Sequence, residues 1–122
     1  MKQKTVGTYS DGIDQYLLVI CEGDDAAGFS RAENCNTGLI KIGADLSYDY
    51  ELYDSLLHEI QELIYHTKGL RVRPTNLQVT WGGRLYFVFD HADYCEICAR
   101  VGKFMVDAWP DLLKAWKQWR KK

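Results

Sequence analysis

The sequence predicts an α+β domain in which a small mixed or antiparallel sheet packs against two main helices, with a short third helix at the C-terminus. Three observations lead there. Residues 15–22, QYLLVICE, form a compact apolar run rich in strand formers. Residues 46–68 repeat apolar side chains at helical spacing. Residues 84–90 form a second strongly β-prone run, RLYFVFD, followed by another helical repeat.

In chain order, residues 15–22 read as a buried strand, and the polar, glycine-containing stretch 23–36 as a loop. Residues 38–43, GLIKIG, read as a second strand. Asp45 or Ser47 can cap the helix that follows. That helix carries Leu52, Tyr53, Leu56, Leu57, Ile60, Leu63 and Ile64 on its apolar stripe. Glu51, Ser55, His58, Glu62 and Tyr65 lie opposite, and Lys68-Gly69 supplies a C-terminal stop. Trp81-Gly82-Gly83 marks a hairpin between 70–80 and 84–90, with Pro74 making the first arm a short or edge strand. A second helix is expected over 91–109, capped by Asp90, with Tyr94, Ile97, Cys98, Val101, Phe104, Met105 and Ala108 on its stripe. Pro110 is expected to end it and open a short third helix containing Leu112, Leu113, Trp116 and Trp119. No internal repeat or linker interrupts the chain, so residues 1–122 read as one domain.

Bulk properties narrow the function. The 122 residues are 47% hydrophobic and 13% aromatic, enough to fill a core. A net charge of -2 gives no reason to expect nucleic acid or a membrane surface as partner. The basic residues Lys114, Lys117, Arg120, Lys121 and Lys122 suit the end of a helix, where cations meet the negative pole of its dipole. The start is polar and no apolar run approaches bilayer length, so a cytoplasmic protein with reduced cysteines is expected. Of the four cysteines, only Cys95 and Cys98 form a CxxC pair. Without a second pair or a thioredoxin-like setting, Cys98 reads as a small buried hydrophobe.

The chemistry concentrates in LLHEIQEL. His58 and Glu62 stand four residues apart, on one helical face, where both can reach one metal ion. Zinc accepts carboxylate oxygen as well as imidazole, and needs a further ligand from elsewhere. His91, at the predicted start of the second helix, would meet the positive pole of the dipole and stay neutral, the form that binds metal. His58, Glu62 and His91 would make a His₂Glu set for Zn²⁺ with one open position, and Glu59 would accept a proton as general base. A solvated helix face would present the same pattern without a metal.

The stretches LLHEIQELIYHTKGL and FVFDHADYCEICARVGKFMVDAWPDLLKAW resemble small phage and prophage proteins of zincin-like, zinc-peptidase type. The resemblance covers about residues 36–117, including NTGLIKIG before the helix and Pro110-Asp111-Leu112-Leu113 near the end. It implies a zincin-like fold, His58, Glu62 and His91 as zinc ligands, Glu59 as the catalytic base, and a peptide or protein substrate. In a phage-encoded chain the setting would be the host cytoplasm. Glu62 stands where the peptidase signature has a second histidine. A second reading is a metal-stabilised or metal-free phage protein that binds a host protein through its tryptophan-rich C-terminal segment.

Overall fold

The structure is a computed structural model and describes residues 2–29, 37–67, 71–72, 86–87 and 91–121. It is α+β. The elements are β1 (Gln3–Ser10), β2 (Gln15–Cys21), β3 (Ala26–Phe29), β4 (Thr37–Gly43), α1 (Asp49–Thr67), β5 (Arg71–Val72), β6 (Tyr86–Phe87) and α2 (His91–Arg120). The first four strands form one mixed sheet in the order β1-β2-β4-β3. β1 and β2 are an antiparallel hairpin, β2 and β4 run parallel, and β3 returns antiparallel to β4 on the edge. The second, two-stranded pairing joins β5 and β6 antiparallel, as a hairpin requires. The Trp81-Gly82-Gly83 turn, Pro74, the Lys68-Gly69 stop, the Asp90 cap and Cys35 lie outside the described residues.

β1 and β3 fall in segments read from sequence as strandless. β1 is formed because the Asp11-Gly12 turn folds it back on β2. The Asp11 carboxylate accepts from the Ile13 and Asp14 amides at 2.8 Å each, and Gly12 takes φ 101°. The loop out of β2 turns at Gly23, φ 94°, whose carbonyl lies against Gly43; a side chain on Gly43 would collide with it.

One face of the sheet holds the core. Tyr16, Leu18 and Ile20 of β2 and Ile40 and Ile42 of β4 pack with Leu52, Leu56, Ile60, Leu63 and Ile64 of α1. From α2 come Ile97, Phe104, Met105, Ala108, Leu112, Ala115 and Trp116. α1 covers β3 and β4 while α2 covers β1 and β2, so the helices lie side by side. The α1 entrance uses neither Asp45 nor Ser47 as the expected cap. The Glu51 carboxylate instead reaches back to accept from the Tyr48 amide at 2.9 Å, one half of a capping box.

α2 departs from the sequence reading in two ways. Pro110 lies inside a single helix and does not divide it. An interior proline loses one backbone hydrogen bond and costs about 3 kcal/mol. The stripe continues unbroken through Ala108, Leu112, Ala115 and Trp116, and burial of these side chains offsets that cost. Trp116 also donates to the Ala44 carbonyl at 3.1 Å. The stripe is, moreover, rotated from the expected one: Cys98 is exposed, and Arg100 is buried in its stead.

Arg100 enters because the hairpin supplies its counter-charge. Its guanidinium donates to Asp11 Oδ2 through Nε at 2.9 Å and Nη2 at 2.6 Å, and to Asp14 at 2.9 Å. The Tyr16 hydroxyl donates to the same Asp11 oxygen at 2.6 Å. Burial alone would raise the Asp11 carboxyl, but hydrogen bonds from Tyr16, the Asp14 and Ile13 amides and Arg100 outweigh it and hold it below its ordinary value. Arg100→Met should therefore destabilise the protein by about 3–5 kcal/mol in urea unfolding, since it strands a buried carboxylate. The Asp11 contribution is whole above the unfolded carboxyl value, about pH 4, and is lost as pH falls through the lowered folded value. The wild-type urea midpoint should drop across that acid window more steeply than the variant's.

Candidate metal centre

Helix geometry places residues three and four apart side by side, and α1 uses this to gather three donors. The ligand atoms of His58, Glu59 and Glu62 all lie within 4.8 Å of one another. His58 Nε2 and Glu62 Oε2 are 3.3 Å apart on the solvent side, with side chains 64% and 39% exposed. Zinc–nitrogen and zinc–oxygen bonds of about 2.0–2.2 Å at a tetrahedral angle put two donors about 3.3–3.5 Å apart. The pair therefore already has the spacing of adjacent ligands on one ion.

Glu59 is different in kind. The residue expected as general base is only 8% exposed, although the sequence reading left it off the apolar stripe. It sits three residues after Leu56 and four before Leu63, on the buried stripe itself. Among the described residues its carboxylate has no hydrogen-bond or ion-pair partner, and it shares the cluster with His58 and Glu62. No fully sealed side-chain oxygen among the described residues lacks a partner, so the Glu59 carboxylate keeps an opening to solvent. Burial raises its pKa above the ordinary value, Glu62 pushes the same way, His58 pulls it back, and Asp25 raises it further. Asp25 comes from the loop before β3, where it also accepts from the Gly43 amide at 2.6 Å. A half-buried nest of carboxylates answered by one imidazole is a site that a cation would relieve.

His91 does not join this group. Its ring lies 3.5 Å from Cys95 Sγ, one turn along its own helix. The reason is the antiparallel register of α1 and α2. Tyr53 packs edge-on against Trp109 at 5.0 Å, and Tyr65 lies within electrostatic reach of Tyr94. On that register His91 is level with the end of α1, about 15 Å along the axis from His58 at 1.5 Å per residue. The expected set of His58, Glu62 and His91 is not assembled, and Glu59 is the third donor present. His66 is exposed in the last turn of α1.

β3 stands beside this helix at the sheet edge, paired among the described residues with β4 alone. No helix among the described residues is long and apolar enough to cross a membrane. Compared with known proteins, the chain matches no family model, no curated protein and no solved structure.

An unpartnered buried carboxylate should be a burden on the metal-free fold. Its raised folded pKa means that stability falls as pH rises from the unfolded value toward the folded one. Glu59→Gln removes that ionisation. The metal-free variant should melt higher than metal-free wild type at pH 7.5, and the two melting temperatures should converge as Glu59 is protonated in acid. Equal melting temperatures at pH 7.5 would mean that the carboxylate is satisfied.

Proposed function

We propose that this chain is a zinc-dependent hydrolase of peptidase type, with α1 as its metal-bearing helix. The observation that carries the proposal is the convergence of His58, Glu62 and the unpartnered, buried Glu59 within 4.8 Å. His58 and Glu62 are the chelating pair, and their exposure leaves the remaining coordination positions to solvent and substrate. Zinc held there would supply Lewis acidity toward a carbonyl. Glu59 holds the proton removed from the attacking water, and its raised pKa suits a base that must later give that proton to a leaving amine. The outer edge of β3, which among the described residues pairs with β4 alone, supports an extended peptide as substrate, because such an edge can hydrogen-bond to one.

The competing reading, binding of a host protein through the tryptophan-rich C-terminal segment, has less support. Trp116 is 3% exposed, Trp109 packs on Tyr53, and Trp119 lies beneath the Lys2 ammonium at 4.8 Å. All three are engaged within the fold.

Protein purified without chelator or histidine tag and dialysed against zinc should retain about one ion per chain at the α1 site. His58→Ala and Glu62→Ala should each lose that ion. Glu59→Gln should keep it and lose about 10²–10⁴-fold in turnover of any peptide the wild type cleaves. A Glu59→Gln variant with undiminished turnover, or wild type whose zinc binding is indifferent to His58→Ala, would defeat the proposal.

A further inference from the structure

The rotation of α2 that buries Arg100 turns His91, Cys95 and Cys98 outward together. They occupy positions i, i+4 and i+7 of one helix, an arc of about 60° at 100° per residue. All three are exposed, on the side away from Ile97, Arg100 and Phe104. Cys95 and Cys98 therefore do no packing work of the kind that Cys21, 2% exposed, does in the sheet. Two thiols and an imidazole on one solvent-facing stripe call for a chemical explanation.

The geometry supplies one. His91 Nε2 and Cys95 Sγ are 3.5 Å apart. A zinc–sulfur bond of about 2.3 Å and a zinc–nitrogen bond of about 2.0–2.1 Å at a tetrahedral angle put nitrogen and sulfur about 3.5–3.6 Å apart. The pair already spans one edge of such a coordination sphere. Cys98 lies three residues beyond Cys95, about 4.5 Å along the axis, so a turn about its χ1 brings its sulfur toward the same point. Tyr94 stands one turn before Cys98 on the same helix.

We propose that His91, Cys95 and Cys98 form a second metal site, selective for a thiophilic cation of the Zn²⁺ or Cu⁺ type and separate from the α1 cluster. Its donor set is soft, two thiolates and one imidazole, whereas that of α1 is two carboxylates and one imidazole. On binding, each cysteine gives up its proton to solvent and donates a sulfur lone pair, with no change of oxidation state. The fourth position of a tetrahedral ion stays open to solvent.

Cobalt(II) reports this site directly, because only sulfur ligands give near-ultraviolet sulfur-to-metal charge transfer. Reduced full-length protein titrated anaerobically with Co²⁺ should develop that band to saturation at one equivalent, and Zn²⁺ should bleach it. Cys95→Ser and Cys98→Ser should each abolish the band, and His91→Ala should weaken Co²⁺ binding at least tenfold. His58→Ala should leave the band unchanged, which separates this site from α1. In unmutated protein, zinc should shield Cys95 and Cys98 from iodoacetamide, as read by peptide mass spectrometry. Absence of the band, its survival in either serine variant, its loss in His58→Ala, or unprotected Cys95 and Cys98 in the presence of zinc would overturn the proposal.

Discussion

The ion pair between Arg100 and Asp11 sets the position of everything above the sheet. Removing a guanidinium and a carboxylate from water is costly, and only close pairing with further hydrogen bonds offsets it. Asp11 receives those bonds from Arg100, Tyr16 and two turn amides. Sliding α2 by one turn would bring Phe104 or Glu96 to Asp11 and leave the carboxylate uncompensated. Phe104 adds shape to the charge lock, standing edge-on to Tyr16 at 5.4 Å and to Tyr9 at 6.2 Å. Farther along, the Tyr9 hydroxyl donates to Asp111 at 2.7 Å. The hairpin and α2 are thus joined at several levels, and α2 in turn fixes α1 through Trp109 and Tyr53.

That chain of contacts decides which donors meet. With α1 held antiparallel to α2, its carboxylate-rich middle faces the β3 edge and lies away from the first turn of α2. The exposed His58–Glu62 pair would contribute little to folding by itself. Glu59 occupies a stripe position that leucine or alanine would fill at no electrostatic cost. A buried carboxylate that opposes stability, and that a cation would relieve, is a common signature of function.

The apolar periodicities made most of the architecture readable. β2, β4, α1 and the first two-thirds of α2 follow from runs and stripes whose burial dominates any local preference. β1 escaped because its residues, QKTVGTYS, are largely polar, and its pairing depends on the Asp11-Gly12 turn. That dipeptide between strand-like segments was the available signal. β3, AAGF, is short and built largely of small residues. Pro110 was misleading because tertiary burial overrode its local effect. The Cys98 and Arg100 assignments exchanged places because a charged residue on a stripe needs a partner 89 positions away, which periodicity cannot supply. Of the candidate site, His58, Glu59 and Glu62 were legible from spacing on one helix. The separation of His91 from them was not, since it depends on the relative register of two helices.

The central claim is that α1 carries a metal ion between His58 and Glu62. Anomalous scattering from a crystal grown with zinc, recorded on both sides of the zinc absorption edge, tests it most directly. The account predicts a peak about 2.0–2.2 Å from both His58 Nε2 and a Glu62 carboxylate oxygen, with Glu59 alongside. A map in which zinc binds elsewhere on the chain while the His58–Glu62 pair stays free of it would contradict the account.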